Sequence, residues 1–128
     1  MATRARPIPP AGPRPQVRLR LRVVVGGVVA IGPGKVELLE AVAEHGSISA
    51  AARSMKMSYR RAWMLLDELN RALGEPAIAT AHGGPQGGGA TLTPTGEAVI
   101  AHYRRIESLA AAAGAAPIAA LLALLRAD

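Results

Sequence analysis

The feature that most constrains the fold is a pair of short helical segments in the middle of the chain, separated by only about three residues. The first segment begins at Ser47, a favourable helix-capping residue, and ends near Met55 after a run of alanines. The second begins at Ser58 and ends at Gly74. Because alanine side chains allow two helices to approach each other closely, this segment predicts a helix-turn-helix.

The second helix of this motif has an apolar side and a polar side. Its apolar positions follow helical spacing and are Tyr59, Ala62, Trp63, Leu66, Leu69 and Leu73. The outer side carries Arg60, Arg61, Met64, Asp67, Glu68 and Arg71. We expect Trp63 to lie in the core, where it would anchor this helix against the helix that precedes the motif.

The chain before the motif contains a strand pattern. In residues 17–25, apolar side chains at first alternate with three arginines, which are Arg18, Arg20 and Arg22. This period of two predicts a strand with one buried face and one cationic face. A Gly26-Gly27 turn and a short apolar stretch follow, and Gly32-Pro33-Gly34 ends that stretch.

Two longer helical patterns flank the motif. The first starts at Lys35 and ends at Gly46, with an apolar stripe that consists of Val36, Leu39, Val42 and Ala43. The second is capped by Thr93 and has proline at its favoured first position. We expect this second helix to bury a stripe made of Val99, Tyr103, Ile106 and Ala110.

Between the motif and the last long helix, the sequence predicts a hairpin. Residues 77–80 and 90–92 are short candidate strands on either side of a glycine-rich loop. The complete order predicts a mainly α fold with a small β-hairpin, which is a winged helix-turn-helix followed by one or two C-terminal helices. We expect a disordered basic arm over 1–16, the winged domain over 17–113, and a C-terminal helix suited to dimerisation over 114–128.

Composition argues against an enzyme or a metalloprotein. The chain of 128 residues is long enough for one domain, and it has no cysteine, which excludes thiolate metal sites and disulfides. Its three histidines are scattered without ligand spacing. The glycine-rich loop lacks the Gly-Lys-Ser/Thr ending of a phosphate-binding loop. We therefore expect no catalytic site, no metal and no cofactor.

The distribution of charge indicates a polyanionic partner. The chain has 15 lysines and arginines against 9 acidic residues, a net charge of +6. Residues 1–22 contain six arginines and no acid. A second acid-free stretch, residues 45–66, covers the helix-turn-helix and contains four cations, which are Arg53, Lys56, Arg60 and Arg61.

No segment has the pattern of a membrane span. Residues 109–125 are uncharged, but they are alanine-rich and are interrupted by Gly114 and Pro117. Prolines such as Pro7 and Pro13 interrupt the apolar core that a signal peptide would need. We expect a cytoplasmic protein with no membrane partner.

Two segments resemble a known family. Residues 46–63, with the run Ser-Tyr-Arg-Arg-Ala-Trp, and residues 83–96, with a glycine-rich run before Leu-Thr, closely resemble the DNA-binding domain of the ModE family of molybdate-dependent transcriptional regulators. The winged helix of that family is LysR-like, and the resemblance covers about Val17 to Ala113. It implies a stand-alone form without the C-terminal domains that hold molybdate, so molybdate binding is not expected in this chain.

The resemblance and the charge pattern imply double-stranded DNA as the partner of a homodimer that regulates transcription. Residues expected at the DNA are Ser47, Ser49, Arg53, Lys56, Ser58, Tyr59, Arg60, Arg61 and Met64 from the motif, and His82, Gly83, Gly84, Gln86 and Gly87 from the wing. For Tyr59 a core position remains an alternative. Relatives usually have glycine in place of Lys56. If the backbone of Lys56 adopts the left-handed conformation, its β-carbon costs about 1 kcal/mol. The wing has Pro85 and Gln86 where many relatives have a cation.

Two other functions remain open on the sequence. The winged helix could serve as a protein-interaction module without specific DNA binding, in which case the apolar C-terminus would dock another protein. The chain could also sense an oxyanion directly through the arginines of its N-terminal strand pattern. Sequence-specific DNA binding at moderate salt separates the first alternative from the regulator.

Overall fold

The described part of the chain contains five helices and two antiparallel hairpins. The computed structural model describes residues 14–81 and 88–126. Its elements follow in the order β1 Val23–Val25, β2 Val28–Ile31, α1 Pro33–His45, α2 Ile48–Ser54, α3 Tyr59–Ala72, β3 Ile78–Thr80, β4 Ala90–Leu92, α4 Pro94–Ala113 and α5 Ala115–Leu122. The predicted fold class, a winged helix-turn-helix with C-terminal helices, is confirmed.

Three side-chain hydroxyl groups start three of the helices, at the predicted residues. The oxygens of Ser47, Ser58 and Thr93 each accept a hydrogen bond from the backbone N–H three residues later, at 3.0, 3.0 and 3.1 Å. Each bond satisfies a backbone donor that the first turn of a helix leaves free. These contacts fix where α2, α3 and α4 begin.

Two residues with positive φ shape the chain on either side of α2. Gly46 has a φ of 77° and ends α1, and its N–H donates to the carbonyl oxygen of Val42 at 2.8 Å. Lys56 has a φ of 57° in the turn between α2 and α3. Lysine has a β-carbon that disfavours this conformation, so the turn carries the expected cost of about 1 kcal/mol.

The core is aliphatic and lies between α1, α2, α3 and the second hairpin. The largest fully buried side chains are Val36, Leu38, Leu39, Val42, Leu66 and Leu69. Ala51, Ala52 and Ala62 are almost completely buried where α2 crosses α3. Small side chains at this crossing bring the two helices of the motif together, as the alanine run predicts.

The predicted N-terminal strand is wrong in length and in burial. The observed strand β1 covers only three residues, and it pairs with β2, a strand that the sequence analysis did not assign. Val17, Leu19 and Val23 are exposed instead of buried. The two strands form a sheet of their own, and on the predicted apolar face only Leu21 is half-buried.

Helix α4 buries its first half and exposes its second half. Tyr103 is 3% exposed, as predicted, but Ile106 is 48% exposed and Ala110 is also exposed, so the predicted stripe is wrong in its second half. A helix of 20 residues is about 30 Å long and extends beyond the small core. Arg104 holds α4 on α1 through two hydrogen bonds to the carboxylate of Glu40, at 2.6 and 3.0 Å. These bonds raise the pKa of the Arg104 guanidinium above its ordinary value.

Helix α5 continues from α4 after a bend and has no buried residue. In the described residues, no single helix is both long and apolar enough to cross a membrane. By length and composition α4 and α5 together could, as a pair bent by 66°. Leu121 is 62% exposed, and Leu124 and Leu125 are exposed as well. The end of the chain therefore presents an apolar surface that the described part of the monomer leaves uncovered.

Candidate nucleic-acid interface

The exposed side of α3 is defined by the residues that it buries. Ala62, Leu66 and Leu69 face the core. Successive helical residues turn by about 100°, so Arg60 and Met64 point directly away from that core. Both are exposed. The centre of the exposed face thus combines a guanidinium with an apolar thioether, one helical turn apart.

The turn and α2 carry two further exposed cations. Arg53, at the end of α2, and Lys56, in the turn, are both exposed. The N–H of Lys56 donates to the carbonyl oxygen of Arg53 at 3.2 Å, which closes the turn. Ser49 is exposed near the start of α2, whereas the Ser47 hydroxyl is occupied as a cap. Of the motif residues predicted at the DNA, all except Ser47 are therefore exposed, and Ser47 is half-buried.

Trp63 does not lie in the core, and this prediction is wrong. Its side chain is 48% exposed, and Tyr59, one turn earlier, is 54% exposed. Around the helix, Tyr59 lies about 50° and Trp63 about 90° from the mean direction of the core positions, on the edge of α3 that faces the second hairpin. The apolar pattern of α3 extends over more of the helix surface than the part that is buried. At the buried part, the small side chain of Ala62 is completely covered.

Tyr59 and Trp63 line a groove of about 460 Å³ between α3 and the base of the second hairpin, which we call the wing groove. Its other lining residues are Ile48, Ser49, Thr80, Ala81, Gly88, Gly89 and Ala90. Trp63, which was expected in the core, is therefore a surface residue that lines this groove. No signal in the sequence separates Trp63 from the core, because its four-residue spacing from Tyr59 is also the spacing between the buried residues Ala62 and Leu66.

Hydrogen bonds attach the wing base, β3 and β4, to the motif. In the hairpin Thr80 pairs with Ala90. The N–H of Ala90 donates to the carbonyl oxygen of Gly46 at 2.8 Å. The Asn70 side chain on α3 accepts a hydrogen bond from the N–H of Ala77 at 2.7 Å. The predicted wing residues His82, Gly83, Gly84, Gln86 and Gly87 lie outside the described residues.

No group of three or more histidine, cysteine or acidic side chains is placed to hold a metal ion within residues 14–81 and 88–126. The first half of α3 instead presents cations, a hydroxyl group and two aromatic rings, and the carboxylates of Asp67 and Glu68 follow in its second half. Guanidinium and ammonium groups bind phosphate oxygens, and guanidinium groups also bind the edge of guanine. The surface therefore has the chemistry of nucleic-acid recognition.

Comparison with protein families identifies a related group. Residues 34–97, which run from α1 into α4, match the model described as "Bacterial regulatory helix-turn-helix protein, lysR family". The match covers the complete helix-turn-helix and both strands of the wing base. It supports the assignment of α3 as the recognition helix of that motif.

Curated relatives match the same region. The chain is 47% identical over 78 residues to the molybdenum-pterin-binding protein MopB of Rhodobacter capsulatus, which covers 61% of this chain and 29% of MopB. It is 39% identical over 90 residues to the molybdenum transport protein ModE of Azotobacter vinelandii, which covers 70% of this chain and 33% of that protein. The chain therefore spans about a third of the length of these relatives.

Solved structures agree with the fold and add DNA complexes. The crystal structure of the CbnR_DBD–DNA complex matches with a TM-score of 0.54 and 30% identity, over 69% of this chain and 95% of that one. Full-length CbnR complexed with its target DNA matches with a TM-score of 0.52 and 29% identity, over 67% of this chain and 28% of that one.

Proposed function

We propose that this chain, which belongs to the lysR family of bacterial regulatory helix-turn-helix proteins, reads a specific DNA sequence with α3 and regulates genes connected with molybdenum. The observation that carries this proposal is the exposed pair Arg60 and Met64, opposite the core in a family of DNA-binding regulators. The link to molybdenum comes from the names of the relatives, which the chain matches in the DNA-binding region.

In this proposal the motif residues divide into two roles. Arg60 donates two hydrogen bonds to the O6 and N7 of a guanine, and Met64 packs against a thymine methyl group. The residues around them bind the phosphate backbone, which positions α3 in the major groove. These are Ser47, Ser49, Arg53, Lys56, Ser58, Tyr59 and Arg61, with the wing residues His82, Gly83, Gly84, Gln86 and Gly87 at the neighbouring backbone.

Selection of bound fragments from genomic DNA, followed by titration of the selected site, tests the function. Trp63 is the only tryptophan of the chain, so its emission reports directly on the wing groove. We expect a labelled operator to bind specifically at moderate salt and to protect Trp63 from acrylamide quenching. A scrambled duplex of equal length is the control. Equal affinity for both duplexes would favour the interaction module instead of a sequence-specific regulator.

The exposed apolar end of the chain supports a homodimer. Leu121 and Leu125 lie on one stripe of the C-terminal segment with Ile118 and Leu122, and Ile106 and Leu109 are exposed on α4. One recognition helix reads only a few base pairs, which is too little to select one site in a genome. A two-fold dimer places its recognition helices about 34 Å apart, in successive major grooves.

Charging the apolar stripe should separate the two copies. We expect Leu121→Asp with Leu125→Asp to be monomeric in sedimentation at tens of micromolar. Binding to the full operator should weaken by about 100-fold, because the second contact is no longer intramolecular. Ala116→Asp with Ala120→Asp is the matched control, since it adds the same charge at two exposed residues on the opposite side of α5. A wild-type monomer with full operator affinity would contradict the dimer.

A further inference from the structure

A second groove borders α3 on the edge opposite the wing groove. It has a volume of about 350 Å³ and lies between α3, the start of α1 and the N-terminal hairpin. Arg61, Leu65 and Glu68 line it from α3, with Arg20 and Arg22 from the segment before β1. We call it the hairpin groove. Apart from Arg61, its cationic residues are absent from the motif site described above.

The hairpin groove carries an excess of positive charge, which favours the binding of an anion. The Lys35 ammonium, on a residue that is 6% exposed, lies 3.1 Å from Glu68 and donates to the carbonyl oxygen of Val29 at 2.6 Å. Lys35 and Glu68 therefore neutralise each other at the floor of the groove. In the described ranges, no carboxylate lies within ion-pair distance of Arg20, Arg22 or Arg61.

A partly buried contact holds the residue between the two N-terminal arginines. The Tyr103 hydroxyl on α4 donates to the carbonyl oxygen of Leu21 at 2.8 Å. Leu21 is half-buried between two exposed arginines. In an extended segment, successive side chains point to opposite faces, so Arg20 and Arg22, which flank Leu21, point to the same side. That side is the hairpin groove.

The dimensions of the DNA major groove indicate what binds in the hairpin groove. A helix with its side chains is about 10–12 Å wide, and the major groove of B-DNA is about 12 Å wide. A helix seated in that groove therefore has a phosphate strand along each of its two edges. We infer that Arg20, Arg22 and Arg61 hold the phosphodiester backbone along the hairpin edge of α3, which rests on the proposed role of α3 in the major groove.

The inference extends the DNA interface to a segment that precedes the helix-turn-helix by more than twenty residues. It also divides the two arginines of the motif. Arg60 lies at the centre of the exposed face and reaches base edges, whereas Arg61 lies at the edge and reaches phosphate. Phosphate contacts position the protein without sequence preference, so the hairpin groove sets affinity and salt dependence.

The test compares two variants that lose the same charge. Arg20→Gln with Arg22→Gln removes both N-terminal groups of the groove. Arg18→Gln with Arg105→Gln is the matched control, since both residues are exposed and neither lines the groove. Each lost phosphate contact lowers the slope of log affinity against log salt by about 0.9. The groove variant should therefore flatten the slope by about 1.8 per bound copy, and the control should leave it almost unchanged.

When the salt concentration rises from 50 to 200 mM, the affinity of wild type should fall by a factor about twelve times larger, per bound copy, than the affinity of the groove variant. Circular dichroism should show both variants folded, because the substituted side chains are exposed. Ethylation of individual operator phosphates locates the contact. Wild type should lose binding when phosphates along one edge of the major groove are ethylated, and the groove variant should be insensitive at those phosphates alone.

Three results would overturn the inference. Equal slopes for the two variants would mean that the arginines act only as distant charges. Tight binding of inorganic phosphate to the hairpin groove without DNA, with an unchanged salt slope, would make it a site for free anions. Absence of specific DNA binding by wild type would overturn the proposed function as well, whereas the first two results leave that function intact.

Discussion

Replacing Arg60 by alanine is expected to weaken operator binding by about 1–3 kcal/mol, which corresponds to roughly a 5- to 150-fold loss of affinity. The substitution removes a paired hydrogen bond to one base and should also relax the preference for that base. Fluorescence anisotropy with the selected operator and its single-base variants measures both effects. The free protein should keep its stability, because Arg60 is exposed and forms no ion pair in the described part of the chain.

The same experiment needs a charge-matched control. Arg105→Ala removes one exposed guanidinium from α4, outside the motif. We expect it to change affinity only slightly and to leave base preference unchanged. If Arg60→Ala weakened all sequences uniformly, its contact would be with phosphate, and if it bound as wild type does, α3 would not be the recognition helix.

The second large effect concerns Gly96, in the first turn of α4. A β-carbon added at this residue would stand 2.1 Å from the carbonyl oxygen of Ala77, a backbone atom of the wing base that has little room to move. That oxygen also accepts a hydrogen bond from the N–H of Thr93 at 2.9 Å. We expect Gly96→Ala to lower the free energy of unfolding by about 3 kcal/mol, because α4 and β3 must separate.

Urea or thermal unfolding followed by circular dichroism measures this loss, at roughly 4 °C of Tm per kcal/mol for a domain of this size. Gly34→Ala is the matched control. Gly34 lies in the first turn of α1, and among the described residues no atom outside the adjacent backbone of its own helix lies within 4 Å of its added β-carbon. Alanine favours helix over glycine, so the control should gain stability by up to about 1 kcal/mol. Equal stability of Gly96→Ala and wild type would contradict the close contact.

The starts of the helices were predictable because they depend on nearby residues. The hydroxyl oxygens of Ser47, Ser58 and Thr93 each accept a hydrogen bond from a donor three residues later. The capping interaction can therefore be predicted from a few neighbouring residues. The end of α1 at Gly46 follows from the preference of glycine for positive φ. The order of these elements then gives the winged fold.

The errors occurred where burial depends on distant packing. Trp63 and Leu66 both belong to the apolar pattern of α3, but only the position of α1 and α2 determines which of them is covered. The strand predicted for residues 17–25 had a regular apolar period, but most of its apolar side chains are exposed. The period of the apolar residues shows that a segment is amphipathic. Burial requires in addition that another part of the fold packs against its apolar face.

The hairpin groove was also beyond sequence analysis. Arg20 and Arg61 are far apart in the chain, and their proximity depends on the contact between Tyr103 and Leu21, which are 82 residues apart. Alternation predicted a common cationic side for Arg18, Arg20 and Arg22, and of these Arg20 and Arg22 line the groove. It could not indicate which part of the molecule this side would face.

The hydrogen bond between Ala90 and Gly46 has a consequence for local unfolding. It links the second strand of the wing base to the residue that ends α1 and precedes the cap of α2. The wing base therefore cannot detach without breaking a bond to the motif, and the two should open together as one cooperative unit. The amide proton of Ala90 should then exchange with solvent as slowly as those in the middle of α1, although β4 is only three residues long.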